Sequence, residues 1–188
     1  GQQCQGTNAG PGRRELGERA EQIVQVALGV LEQEGREAVT MRRVADELGI
    51  RAPSLYKHFP NKQAIEVAMI EVGLEQMGTR FHAAVDGPGP VGEAIPRLLA
   101  AYREAGQAQP NLYRLATSGP LPRHLLTPGL EAWAGSPFWL TTGDPFRAQA
   151  LWSFAHGMVI LEIDGRYPEG SDLDRTWQTG AAAFQALR

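Results

Sequence analysis

The sequence predicts an all-α fold, on three observations. No segment alternates apolar and polar residues convincingly over the length of a strand. Apolar residues return instead at steps of three and four along successive stretches. Glycines and prolines stand between those stretches, where helices should start and stop. A chain of 188 residues, 43% apolar, has enough core for one large domain or two small ones without covalent staples.

Residues 1–12, GQQCQGTNAGPG, have no apolar periodicity and read as a flexible leader, closed by Arg13 and Arg14. Cys4 is the lone cysteine, which excludes an internal disulfide and a cysteine-based zinc site. It reads as a free thiol on a loose tail, in keeping with a reducing compartment. No basic-then-apolar leader and no run of about 18 apolar residues are present, so the expectation is a cytoplasmic protein with no membrane partner.

Glu15 to Gly35 reads as the first helix, with Ala20, Ile23, Val24, Ala27, Leu28 and Leu31 on one face. Ala38 and Val39 form a short connector. The stretch from Thr40 to Lys62, TMRRVADELGIRAPSLYKHFPNK, then reads as two short helices and a corner. Thr40 can cap the first by accepting from backbone N–H groups one turn on. Val44, Ala45 and Leu48 give that helix its apolar side. Gly49 suits a helix end, and Ile50 can plug the corner. Pro53 belongs in a first helical turn, where its missing N–H has no partner to lose. Leu55 and Phe59 give the second helix, of about two turns, its buried side. This is the plan of a helix-turn-helix.

Charge separates this stretch from the remainder. The net charge is −3, with nine basic and eight acidic residues through Lys62, and nine and thirteen after it. Arg36 to Lys62 carries six Lys or Arg against three acids. A second helix of this size fits the major groove of DNA, with its first residues at base edges. A solvated face on an ordinary helical corner is the plainer alternative.

Gln63 to about Val85 reads as a long helix with an imperfect stripe of Ile65, Met69, Val72, Met77, Phe81 and Val85. It leads from the motif into the rest of the chain, as a lever would. Asp86 to Gly92 matches G-x-G-x-x-G literally, but a helix precedes it and prolines interrupt it, so it reads as a loop. Helices follow at Ile95 to Gly106, Asn111 to Thr117, and Leu130 to Leu140, the last interrupted by Gly135 and Pro137. Ser118 to Gly129 holds three prolines and is at best broken helix. Asp144 and Pro145 open a helix through about Ile163, and Asp172 caps the last, with Leu173, Trp177, Ala181, Phe184 and Leu187 on a face. The penultimate helix is apolar on more than one side. A second copy of these two helices would cover what the chain leaves bare, so the expectation is a homodimer through a four-helix seam.

The runs V-A-D-E-L-G-I and P-S-L-Y-K-H-F-P-N-K resemble the DNA-binding domain of the TetR family of transcriptional repressors, over about Arg14 to Glu71. The resemblance implies base-edge contacts from Arg42, Arg51, Ala52, Pro53 and Ser54, and phosphate contacts from Tyr56, His58 and Lys62. Thr40 and Lys57 complete the expected DNA-binding set. Basic arms like Arg13 and Arg14 sometimes touch the DNA backbone in that family; a tail with no role is the alternative. Many members carry Ser or Thr where Arg51 stands, so here a helix cap is missing and Arg51 is freer to reach DNA. Farther on, W-S-F-A-H-G resembles the signature of a TetR-type C-terminal domain named for its Trp, His and Gly.

These resemblances imply a DNA-binding regulator, a repressor that binds a near-palindromic operator as a homodimer and is released by a small, largely apolar effector. The expected domains are 1–12 leader, 13–62 DNA-binding and 63–188 ligand-binding and dimerising. Tyr102, Tyr113, Trp133, Phe138, Trp139, Trp152, Phe154 and His156 are the expected ligand-binding residues, because convergent aromatics with few polar groups suit a pocket. A plain aromatic core is the alternative, and for His156 a satisfied core histidine. No cofactor, metal or catalytic residue is expected, since His82 and His124 lack partners at ligand spacing and no nucleophile motif stands beside Ser153 or His156. The other class of function is a small-molecule-binding protein or enzyme with a vestigial helix-turn-helix.

Overall fold

The computed structural model describes residues 9–187, so Cys4 and the first eight positions of the expected leader lie outside the described residues. Among these residues there are nine α-helices and no strand, as the periodicity predicts. Helix α1 (Glu18–Glu34) starts three positions later than expected, after Gly17, and buries Ile23, Val24, Ala27, Leu28, Val30 and Leu31. A 3-10 turn, Arg36–Ala38, leads to α2 (Met41–Leu48) and α3 (Ala52–Tyr56). Helix α3 is shorter than two turns. Phe59 is buried but lies beyond its end.

Helix α4 (Lys62–Asp86) is the axle of the molecule, in contact with α1, α5, α6 and α7. Every residue from Val67 to Leu74 is buried, so its apolar stripe is imperfect because the helix is covered all round. Even Glu71 is buried; its carboxylate accepts from the backbone N–H (3.0 Å) and the hydroxyl of Thr127. The expected boundary at residues 62 and 63 falls in the first turn of α4.

Helices α5 (Ala94–Ala108), α6 (Pro110–Thr117), α7 (Leu130–Thr142), α8 (Pro145–Ile163) and α9 (Leu173–Ala186) make the larger body. The G-x-G-x-x-G match is a loop and 3-10 turn that follows a helix. Helix α7 runs unbroken through Gly135 and Pro137, contrary to the expected interruption. Pro137 has no N–H to offer the Trp133 carbonyl one turn back. His82 Nε2 on α4 (2.9 Å) and Ser136 Oγ (2.8 Å) donate to that oxygen instead. The proline is tolerated because two side chains replace the bond it removes. Helices α8 and α9 cross closely at Gly180, where an added Cβ would overlap the Phe154 ring.

Candidate nucleic-acid interface and ligand cavity

The corner is built by local chemistry. Thr40 Oγ1 accepts from the Arg43 N–H at 3.0 Å and starts α2. Gly49 ends it with φ of 67°, a left-handed conformation that side chains with a Cβ resist. Ile50 donates its N–H to the Ala45 carbonyl at 3.0 Å and packs on the core. Arg51 occupies the N-cap of α3, and its guanidinium, a donor with no acceptor, leaves that cap unmade.

Leu55 and Phe59 anchor α3 inward, and the same rotation presents the opposite side. Arg51, Pro53, Ser54, Tyr56, Lys57 and His58 are exposed, and Ala52 is half-buried. Tyr56 is 50% exposed. Thr40 and Arg42 are exposed on α2. Lys62 is half-buried at the start of α4, where Nζ donates to the Arg36 carbonyl (3.4 Å) and lies 3.8 Å from Glu66. Asn61 caps α4 by accepting from the Ala64 N–H at 2.9 Å, a signal the sequence reading passed over although Asn is a preferred cap. Arg43 is spent internally, 2.7 Å from both Glu34 and Glu47. Arg42, Arg51 and Lys57 have no ion pair among the described residues. Arg13 and Arg14 face the body: Arg13 bridges Glu21 (2.6 Å) and Glu75 (3.5 Å), and Arg14 reaches the Leu125 carbonyl.

A cavity of about 600 Å³ opens between α4, α5, α7, α8 and the connector after α6. Of the eight expected ligand-binding residues, Tyr102, Phe138, Trp139 and Trp152 line it. Leu74, Met77 and Phe81 of α4 line it too, and the sequence did not mark them because apolar wall and apolar core look alike in a stripe. Arg123 and Glu131 pair at 2.8 Å, leaving no net charge from that pair. Tyr113 and His156 stand behind Tyr102 in a hydrogen-bonded line. Trp133 is outside the cavity, stacked on His82 with centroids 5.0 Å apart. Phe154 is also outside it, packed on Trp177 and Phe184. Burial pushes the Tyr102 phenol up to about 12 and the Tyr113 phenol higher still. Burial also lowers the His156 imidazole, which has no charged neighbour to offset it.

The outer side of α8 leaves apolar groups bare, with Phe146 79% and Leu161 42% exposed. Phe184 is on the inner side of α9, half-buried against Phe154 at 5.7 Å between rings. Among the described residues no group of three His, Cys, Asp or Glu is placed to hold a metal ion, and no helix is long and apolar enough to cross a membrane.

Residues 23–69, which hold α2, α3 and the corner between them, match the model of the bacterial regulatory proteins of the tetR family. Residues 23–69 are thus a segment of the tetR-family type. The tetracycline repressor class C of Escherichia coli is 43% identical over 54 residues, 29% of this chain and 25% of that one. A nucleoid occlusion factor SlmA of Haemophilus ducreyi is 26% identical over 106 residues, 56% of this chain and 52% of its own. The chain thus spans between a quarter and about half of the length of these two relatives. A solved Rhodococcus protein of unknown function superposes with a TM-score of 0.74 at 19% identity, over 91% of this chain and 95% of its own. A TetR variant from Acinetobacter baumannii, in complex with minocycline, superposes with a TM-score of 0.62 at 23% identity, over 92% and 96%. Over nine-tenths of its length the chain thus shares the all-helical fold of these two proteins.

Proposed function

We propose that the chain is a transcriptional repressor that binds a near-palindromic operator as a homodimer and leaves it when a small, largely apolar effector binds. The observation that carries this reading is the α3 surface: one side anchored by Leu55, the other an uncovered row of Arg51, Pro53, Ser54, Tyr56, Lys57 and His58. Three unpaired cations and a groove-sized helix suit duplex DNA. Base contacts fall to Arg42, Arg51, Ala52, Pro53 and Ser54, and phosphate contacts to Thr40, Tyr56, Lys57, His58 and Lys62. The bare apolar groups of α8, and α9 beside it, suit a twofold seam with a second copy. Residues 13–62 serve as the reading head and 63–188 as the sensing and pairing body.

The cavity is the effector site in this reading, since its volume and its mainly apolar, ring-lined walls are those of a small-molecule pocket. Helix α4 joins the two functions: Lys62 is at its start, and Leu74, Met77 and Phe81 reach the cavity about 18–28 Å farther along. An effector releases DNA only through differential affinity for two head positions. Selection of bound fragments from genomic DNA, followed by titration of the purified protein on them, tests the reading. A recovered twofold-symmetric sequence bound with a steep salt dependence supports it. Binding that is absent, or equal on all sequences, would favour a small-molecule protein with an idle helix-turn-helix.

A further inference from the structure

Three polar side chains form a line from the cavity wall toward the outside of α8. Tyr102 lines the cavity. Its hydroxyl oxygen is 2.7 Å from that of Tyr113, which is in turn 2.8 Å from His156 Nδ1. Neither Tyr113 nor His156 lines the cavity. Each hydroxyl has one proton to donate, so the directions of the two bonds are coupled. When Nδ1 accepts, Tyr113 donates to it, Tyr102 donates to Tyr113, and the cavity meets only a lone pair. When Nδ1 carries a proton, it donates to Tyr113, Tyr113 donates to Tyr102, and the Tyr102 proton is free to point at a ligand. The alternative, a buried Tyr113 proton with no acceptor, carries the full desolvation penalty. An imidazolium has protons on both nitrogens and allows only the second arrangement.

We propose that the cavity selects a neutral aromatic ligand with a hydrogen-bond acceptor, of the aryl ketone or quinone class, held by the Tyr102 hydroxyl when His156 bears a proton on Nδ1. This rests on the reading of the cavity as an effector site. Phe81, Phe138, Trp139 and Trp152 supply flat walls for an aromatic body. The pairing of Arg123 with Glu131 leaves no free charge there for an ionic ligand. With Tyr113 donating, the Tyr102 oxygen has its own proton left to give. A carbonyl oxygen completes the line.

Protonation of His156 should therefore strengthen ketone binding. Burial keeps the imidazole below its ordinary range, so the effect grows as pH falls into and below that range. Charged groups on the surrounding elements are engaged elsewhere or exposed. Arg103 pairs with Glu162 and Asp174, Arg114 with Asp164, Glu131 with Arg123, and Arg147 with Asp144. Arg97 donates to the Ala84 carbonyl, and Glu104 and Arg175 are exposed.

Equilibrium dialysis of the full chain against acetylnaphthalene and its apolar isostere isopropylnaphthalene tests this, at about pH 8 and about pH 5. The ketone should bind about three- to tenfold tighter at the lower pH, and the hydrocarbon equally at both. Tyr113→Phe cuts the line without altering the cavity wall and should remove the ketone's pH response. His156→Gln keeps a neutral hydrogen-bonding group and should do the same. A ketone that follows the hydrocarbon at both pH values overturns the proposal and leaves the cavity reading standing. A pH response that survives both variants also overturns it. If neither compound binds at either pH, the effector-site reading fails and the proposal with it.

Discussion

Glu32 of α1 caps α6, its carboxylate accepting the Leu112 N–H at 2.6 Å. The Asn111 N–H reaches the same carboxylate at 3.3 Å, and the Asn111 amide donates back to the Leu31 carbonyl at 2.9 Å. The end of a reading-head helix and the start of a body helix thus satisfy each other's orphan groups. Glu32→Ala should cost about 1–2 kcal/mol by loss of a cap and of its dipole interaction. Thermal unfolding measures that loss. The same variant should weaken the reciprocal coupling between DNA and effector, with each affinity measured alone near normal. Unchanged coupling would mean that α4 alone connects the two halves.

On the proposed function, the α2 and α3 face should make two kinds of contact. Arg42→Ala or Arg51→Ala should cost about 1–3 kcal/mol on the cognate sequence and far less on random DNA. Lys62→Ala should weaken both alike and make the salt dependence shallower by about one phosphate. Arg43→Ala should do less to DNA binding than either, since Arg43 already holds Glu34 and Glu47. Fluorescence anisotropy at several salt concentrations separates these outcomes.

Assembly has its own test. Sedimentation at micromolar concentration should give about twice the chain mass. Leu161→Glu places a charge on the bare side of α8 and should shift the protein toward monomer while preserving helicity. Phe184→Glu should behave differently: it buries a charge against Phe154 and should lower thermal stability before it alters mass. A well-behaved monomer of the unmodified chain would remove the twofold seam.

The Pro137 and His82 arrangement predicts a coupling within one chain. His82→Leu should destabilise by about 1 kcal/mol, because the Trp133 carbonyl loses one of two donors. In a Pro137→Ala background residue 137 regains its N–H, and the same change should cost less. A double-mutant cycle by urea unfolding reads the difference.

What the sequence made legible was local. Thr40, Gly49 and Pro53 act within a turn of themselves, so the corner followed from residue type and spacing. The full engagement of Arg43 did not, because Glu34 comes from another helix. Continuity of α7 was hidden for the same reason: its defect is repaired by a histidine 55 positions before Pro137 on α4. Four of the eight aromatic-region candidates reached the cavity wall. Tyr113 and His156 stand one hydrogen bond back or more, and Trp133 and Phe154 turn to other neighbours. An aromatic's attraction to apolar surroundings does not say which side of its helix it will face.

Helix α4 also sets a scale for any motion that crosses the molecule. Its 25 residues span about 37 Å, and its middle is gripped on every side. A body so held turns rather than bends. Rotation by about 5° at the cavity would carry the Lys62 end through about 2 Å over the intervening distance. That is comparable to the length of the hydrogen bonds by which a side chain holds a phosphate. In a symmetric pair the two ends would move oppositely and double the misfit. Angular change too small to alter any helix internally is therefore large enough to put two reading heads out of step with the groove.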